Sequence, residues 1–174
     1  MTSTSSTFHV FTHPDYAYAA NCRPGILVPQ QVYKSPAGYQ QLSPIRFTMR
    51  NVPGIRLVDA LPGVIQGLDS RGFSPPLSVT GNRITLRILW PGYGDWAHPN
   101  IAIQHFDARG NRYTMEELAG AIANRIQRFY QEMRCNPCTA AGWELQKFPF
   151  NDLYLVELRH VGQSSWQPVL MYSP

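Results

Sequence analysis

The sequence has few cysteines, few charges and no long apolar run. Its three cysteines are an odd number, which suits a reducing compartment better than a disulfide framework. No stretch of about 18 apolar residues occurs, so we expect no transmembrane helix. Residues 1–9 have neither the basic nor the apolar region of a secretory signal. These absences predict an intracellular protein, cytoplasmic or nuclear, that does not bind membranes.

Charged residues make up 15% of the chain and hydrophobic residues 44%, where about 25% charged is usual. A disordered chain has the opposite balance, with low hydrophobicity and high net charge. The 174 residues correspond to one domain of common size, about 100–150 residues. We therefore expect a single globular domain.

Lysine is nearly missing among the basic residues. Thirteen of the 15 are arginine, and only Lys34 and Lys147 are lysine. The chain also has nine tyrosines, four tryptophans and five methionines. Arginine and aromatic residues are favoured at protein interfaces, where lysine is disfavoured. Two explanations stay open: genomic codon bias together with an aromatic core, or a surface that binds a partner or a second copy of the chain.

Proline and serine are concentrated near the start of the chain. A Ser/Thr tract fills residues 1–8, and residues 9–39 are rich in Pro, Tyr and Gln. Proline at this density prevents a long helix or a central strand. We expect residues 1–40 to form an extended arm and residues 41–174 to form the globular domain.

The clearest structural signal is a capping box at Thr114 and Glu117, followed by an apolar stripe at helical spacing. It predicts a helix over about 115–133. Alternation predicts strands over 45–49, 84–90, 101–106, 143–148, 153–161 and 166–172. Pro168 predicts a sheet edge, because proline cannot donate to a ladder. The fold class is α+β, with one long helix on a mostly antiparallel sheet, and a β-grasp-like arrangement satisfies this order.

The motif Cys135-Asn-Pro-Cys138 follows the predicted helix. The helix dipole opposes thiolate formation there, which disfavours a redox pair. Cys22 and one of His9, His13 or His160 could complete a zinc site, but the spacing lacks a second close ligand pair. We favour a helix-ending turn, and we expect no metal and no cofactor.

Residues 90–98 concentrate aromatic side chains in a Pro-Gly loop. Trp90, Tyr93 and Trp96 either bind a partner or cap the core. Asp95 and His98 could form an acid/base pair at the same loop. The core-capping role is the favoured one, and of the two functional roles binding is preferred to catalysis.

Four arginines could form a basic band over the helix start and its outer face: Arg109, Arg112, Arg125 and Arg128. A solvated face is the usual explanation of such a band, and phosphate or nucleic-acid binding is the alternative. Nucleic acid is therefore possible as a partner but not favoured.

Two blocks carry a resemblance, GIRLVDAL at residues 54–61 and LRILWPGY at residues 86–93, followed by the helix. Over residues 45–133 the chain resembles a group of small, uncharacterised basidiomycete fungal proteins. The resemblance implies an intracellular globular protein and supplies no activity, cofactor or catalytic residue.

Three hypotheses follow from the sequence. The first is a non-catalytic protein-interaction module, or a self-associating one, that uses an aromatic and arginine surface. The second is a small-molecule binder or enzyme with Asp95 and His98. The third is a nucleic-acid binder that uses the arginine band.

Overall fold

The structure is a computed structural model of the chain. It describes residues 25–31, 33, 38–75, 77, 83–94, 101–104 (backbone only) and 112–174. The elements are β1 (Ile26–Leu27), β2 (Ile45–Arg46), β3 (Thr48–Met49), β4 (Val52–Pro53), β5 (Ile55–Arg56), α1 (Leu57–Ala60), β6 (Arg83–Leu86), β7 (Ile101–Gln104), α2 (Met115–Met133), β8 (Leu153–Gly162) and β9 (Ser165–Tyr172). Two 3-10 turns, Leu145–Lys147 and Phe150–Asp152, precede β8.

The main sheet has the strand order β2-β8-β9-β6-β7, with β1 also paired to β9 and β5 to β8. The pairs β6–β7 and β8–β9 are antiparallel, and the central pair β6–β9 is parallel. The helix α2 lies between the two antiparallel pairs in the sequence. The predicted α+β fold is confirmed, and this strand order is β-grasp-like.

The helix α2 begins as the sequence predicts. Thr114 Oγ1 accepts from the Glu117 N–H at 3.3 Å, and a Glu117 carboxylate oxygen accepts from the Thr114 N–H at 2.8 Å. Its apolar stripe is buried in one cluster with the sheet, including Leu118, Ile122, Ile126, Phe129, Leu155, Trp166 and Leu170. In the part of the chain that the structure describes, no helix combines the length and apolarity needed to cross a bilayer.

The short helix α1 and the turn after it pack closely on α2 at Gly120. A Cβ at Gly120 would lie 3.1 Å from the Gly63 Cα and 3.2 Å from the Ala60 carbonyl oxygen. Asn124 Nδ2 donates to the carbonyls of Leu61, at 3.3 Å, and Gly120, at 2.8 Å. The GIRLVDAL block thus supplies a helix–helix contact.

Pro168 lies in the central strand β9, so the predicted sheet edge is wrong. On one side, β9 pairs with β6 at residues 165–166 and with β1 at residues 171–172. Pro168 lies where the partner changes, so no backbone neighbour needs its missing N–H. Gln30, 5% exposed, fills the gap: its Nε2 donates to the Pro168 carbonyl, and its Oε1 accepts from the Leu89 N–H at 3.0 Å.

Three other predicted strands differ from the structure, and the first of them, predicted over 84–90, ends at Leu86. The strand predicted over 143–148 is instead a 3-10 turn at Leu145–Lys147. Residues 143 and 148 would face opposite sides of a strand, whereas the Trp143 and Phe148 rings stack with centroids 5.1 Å apart. The predicted strand over 45–49 divides into β2 and β3 around Phe47, which is fully buried. Residues 25–31 of the predicted arm contribute β1 to the sheet.

Candidate functional site

Trp90 is part of the core. Its side chain is 2% exposed, and its indole N–H donates to the Trp143 carbonyl at 2.8 Å. The ring packs edge-to-face against Trp143 and Phe148, with centroid distances of 6.4 and 5.5 Å. Little of this ring is left for a partner to contact.

Tyr93 is held in the same way. Its side chain is 8% exposed, and its hydroxyl accepts from the Leu145 N–H at 2.9 Å. Burial raises the pKa of the Tyr93 phenol, against the opposing effect of that hydrogen bond. The Thr139 N–H donates to the Gly92 carbonyl at 2.9 Å. Residues 138–145 therefore hold the Trp90–Tyr93 turn, and both predicted binding rings point inward.

The other residues of the loop hypothesis, Trp96, Asp95 and His98, lie outside the described residues. The acid/base pair therefore stays a prediction. Cys22, His9, His13 and Arg109 lie outside the described residues as well.

The Cys135–Cys138 segment is a turn after α2, in which the Asn136 N–H donates to the Met133 carbonyl at 2.9 Å. Cys135 is exposed and Cys138 is half-buried, and both are free thiols. Cys138 Sγ donates to the Ala140 carbonyl at 3.2 Å. Among the residues that the structure describes, no group of three His, Cys, Asp or Glu side chains could hold a metal ion.

His160 is a hydrogen-bonded core residue, 4% exposed. Its Nδ1 accepts from the Leu42 N–H at 3.1 Å, and its Nε2 lies 3.2 Å from the Gln163 carbonyl. This pattern assigns the ring proton to Nε2. The side chain has no free nitrogen with which to bind a metal.

The described part of the arginine band is solvated. Arg112 and Arg128 are exposed, and Arg125 is half-buried. Arg128 Nε lies 2.7 Å from a Glu132 carboxylate oxygen one turn along α2. Exposed pairs of this type contribute about 0.3–0.5 kcal/mol. The pair also neutralises one of the charges that a phosphate would need.

Among the described residues, the exposed aromatic side chain lies elsewhere, in the loop that precedes β6. Phe73 is 59% exposed and Val64 is 58% exposed. The backbone of Phe73 is nevertheless fixed, since its N–H donates to the Ser70 carbonyl at 2.9 Å and its carbonyl accepts from the Met115 N–H at 2.8 Å. A fixed backbone with an exposed ring is an arrangement suited to binding.

Glu116, in the first turn of α2, ties the same loop to the helix. Its carboxylate accepts from the Ile65 N–H and from Arg71 Nε, the latter at 2.8 Å. Desolvation alone would raise the pKa of Glu116, but these two hydrogen bonds and the arginine charge hold it below its ordinary value. We call Val64, Arg71 and Phe73 the Phe73 patch.

Sequence reasoning missed this patch. The segment Asp69-Ser-Arg-Gly72 and the prolines after Ser74 predict a loop. The sequence feature that could have indicated the patch is a large apolar residue, Phe73, among residues that are typical of a loop.

Comparisons of this chain with protein-family models, with curated proteins and with solved structures found no match.

Proposed function

We propose that this chain is an intracellular, non-catalytic interaction module that associates with a second copy of itself through the Phe73 patch. The observation that carries the proposal is the exposed ring of Phe73 on a backbone fixed at both its N–H and its carbonyl. The proposal keeps the aromatic and arginine surface expected from the sequence and moves it from residues 90–98 to residues 64–73.

The energetic argument rests on preorganisation. Burying a phenylalanine side chain contributes roughly 1.5–3 kcal/mol. Part of that is usually lost when an interface loop must be ordered on binding. At Phe73 the ordering is already complete, because Glu116 and Met115 anchor the loop to α2. Arg71, 53% exposed, adds one of the residue types that are enriched at interface hot spots.

The experiment is sedimentation velocity of the full chain between about 1 and 100 µM, the range in which weak dimers dissociate. We expect the wild type to dimerise and Phe73→Ser to weaken dimerisation by at least about tenfold, the loss of one buried aromatic contact. Val64→Ser should act in the same direction with a smaller effect.

The matched control is Val52→Ser, which removes another exposed apolar side chain, 36% exposed, from the strand β4. It should leave the dimer unchanged. A wild type that stays monomeric at every concentration, or equal weakening by Val52→Ser and Phe73→Ser, contradicts the proposal.

A further inference from the structure

The turn between β3 and β4 lies beside the loop that carries the Phe73 patch, and its two residues have an uncommon backbone conformation. Arg50 has φ of +50° and Asn51 has φ of +64°. A two-residue hairpin turn with positive φ at both positions favours asparagine, aspartate and glycine. The backbone disfavours arginine at the first position, so the reason for Arg50 lies in its side chain.

The Arg50 side chain lies along the loop that carries Phe73. The Arg50 N–H donates to the Gly67 carbonyl at 3.1 Å. A Cβ at Gly67 would lie 3.1 Å from Arg50 Nε and 3.4 Å from Arg50 Cγ, so the glycine leaves room for the arginine. Arg50 is exposed, and within the described residues its guanidinium pairs with no carboxylate.

Asp69 supplies the opposite charge on the same loop. Its N–H donates to the Thr48 carbonyl at 3.0 Å, and its Oδ2 accepts from the Asn51 N–H at 2.8 Å. These two bonds fix the half-buried carboxylate beside the turn. In the part of the chain that the structure describes, no basic side chain lies within ion-pair distance of Asp69.

Phe73 is close to this pair of charges. The Phe73 N–H donates to the Ser70 carbonyl at 2.9 Å. This bond closes a β-turn over residues 70–73, whose first and last Cα atoms are within about 7 Å of each other. Asp69 immediately precedes the turn, so the exposed ring and the two charges belong to one surface.

Val52 lies outside that surface. The strand β3 separates it from the loop, since Met49 pairs with Val52 on one edge and with Leu68 on the other. Strands about 4.8 Å apart place Val52 roughly 10 Å from Leu68. Val52→Ser therefore remains a control for association through the Phe73 patch.

The charges on this surface make it complementary to a copy of itself. Arg71 adds no net charge, because its Nε lies 2.8 Å from a Glu116 carboxylate oxygen. Arg50 and Asp69 are left as one positive and one negative charge without a partner among the described residues. A two-fold axis places a surface against an identical one, so each charge can face its opposite in the other copy.

We propose that Arg50 and Asp69 set the orientation of the second copy at the Phe73 patch, an inference that rests on the proposed function. The two-fold axis lies in the interface, passes between Arg50 and Asp69 and runs over Phe73. Arg50 of each copy then donates to the Asp69 carboxylate of the other, and the two Phe73 rings meet. A partner without this pair of charges would leave both unpaired in the interface, so a second copy is preferred.

The test is sedimentation velocity of two charge-reversed full-length variants, alone and mixed. In the dimer of Arg50→Glu two carboxylates face each other at both contacts, and in the dimer of Asp69→Lys two cations do. Each variant should dimerise at least about tenfold more weakly than the wild type. In an equimolar mixture opposite charges face each other at both contacts, so the mixed dimer should be about as tight as the wild-type dimer.

Arg128→Glu is the matched control. It makes the same change of charge on an exposed side chain of α2, about 18 Å along the helix from Glu116. It should dimerise like the wild type, and it should not draw Asp69→Lys into dimers as tightly as Arg50→Glu does. Equal rescue by Arg128→Glu would show a general effect of net charge and overturn the inference.

A second set of variants keeps the test decisive if Asp69→Lys fails to fold. Asp69→Asn keeps an acceptor oxygen for the Asn51 N–H and removes the charge, and Arg50→Gln removes the charge of the arginine. Each should weaken the dimer by about threefold or more. The double variant should weaken it no further than either single variant, because both remove the same contact. Additive weakening would show that the two residues do not pair.

The outcomes separate this inference from the proposed function. A wild type that stays monomeric at every concentration overturns both. If the wild type dimerises and Phe73→Ser weakens the dimer, but the charge-reversed variants do not weaken it or their mixture does not restore it, only the orientation by Arg50 and Asp69 is overturned. Association through the Phe73 patch then stands.

Discussion

The turn at Trp90–Tyr93 and the loop at Val64–Phe73 make an instructive pair. Both carry aromatic side chains, and both are held by hydrogen bonds from a later segment of the chain. In the first, the rings are buried, with Trp90 2% exposed. In the second, the ring projects into solvent, with Phe73 59% exposed.

This comparison distinguishes two properties that sequence composition cannot tell apart, the anchoring of a loop backbone and the exposure of its aromatic ring. Anchoring of the backbone is common to both segments, so it does not by itself distinguish a segment that binds from one that only folds. The direction of the ring distinguishes them, since a buried ring contributes to folding and an exposed one is available for association. The predictions below test whether the Trp90–Tyr93 turn contributes to folding while the Val64–Phe73 loop is available for association.

The largest difference is expected for removal of the two rings. Trp90→Ala should lower the free energy of unfolding by about 3–5 kcal/mol, the usual cost of deleting a buried aromatic. Phe73→Ala should change it by less than about 0.5 kcal/mol, as at other exposed sites. Urea unfolding under conditions that keep the chain monomeric measures both. A comparable loss of unfolding free energy in Trp90→Ala and Phe73→Ala would contradict the assignment of one ring to folding and the other to association.

The next effect tests the anchoring of the Trp90 turn. Gly92 has φ of +83°, and a Cβ there would lie 2.5 Å from the Ala140 nitrogen and 2.5 Å from Cys138 Sγ. Gly92→Ala should therefore cost about 2–3 kcal/mol of stability, from backbone strain and the clash together. Gly94→Ala, with φ of +61° and open space around it, is the control and should cost less than Gly92→Ala.

The anchoring of the Phe73 loop is tested through Glu116. Glu116→Gln should destabilise the protein by about 1–2 kcal/mol near neutral pH, because two hydrogen bonds lose their charge assistance. The folded-state pKa of Glu116 is lowered, so its contribution is present above the unfolded pKa of about 4.3 and is lost as the pH falls through the folded-state pKa. Unfolding curves of wild type and variant from pH 7 to pH 3 should converge at the acid end. A difference in the free energy of unfolding between wild type and variant that stays constant with pH would contradict the role assigned to Glu116.

The smallest effects are expected at the two cysteines. Cys138 Sγ contacts the Trp90 turn through the Pro91 carbonyl, at 3.6 Å, and Cys138→Ala should cost about 0.5–1 kcal/mol. Cys135 is exposed, and Cys135→Ala should stay within about 0.5 kcal/mol of the wild type. Thermal unfolding under reducing conditions compares the two. A larger loss of stability in Cys135→Ala than in Cys138→Ala would show that the turn has another role.

Local chemistry made the helix predictable. The capping box at Thr114 and the stripe from Leu118 to Met133 depend only on neighbours in the sequence, and both are confirmed. The position of Pro168 was predicted wrongly, because its neighbours across β9 come from residues 26–30 and 83–89, far away in the chain. The 3-10 turn at Leu145 was missed for a related reason, since the stack of Trp143 on Phe148 outweighs the alternating pattern.

The candidate sites were less predictable than the fold. Trp90 and Phe73 are both aromatic residues in Pro/Gly-rich segments, and only tertiary contacts decide which ring is buried. The hydrogen bond from the Arg87 N–H to the Trp166 carbonyl joins two segments that are far apart in the sequence. A parallel register between β6 and β9 follows from the whole topology, and no local motif encodes it.

The position of β9 has a consequence for synthesis of the chain. This strand pairs with β8, β6 and β1, and it follows all of the other described strands in the sequence. During translation, β6 and β1 therefore leave the ribosome before the strand that joins them exists. The sheet cannot grow strand by strand from one edge, and the earlier segments must wait, with their apolar faces uncovered, until the centre of the sheet is made. Folding of this domain is thereby delayed until residues 165–172 have emerged.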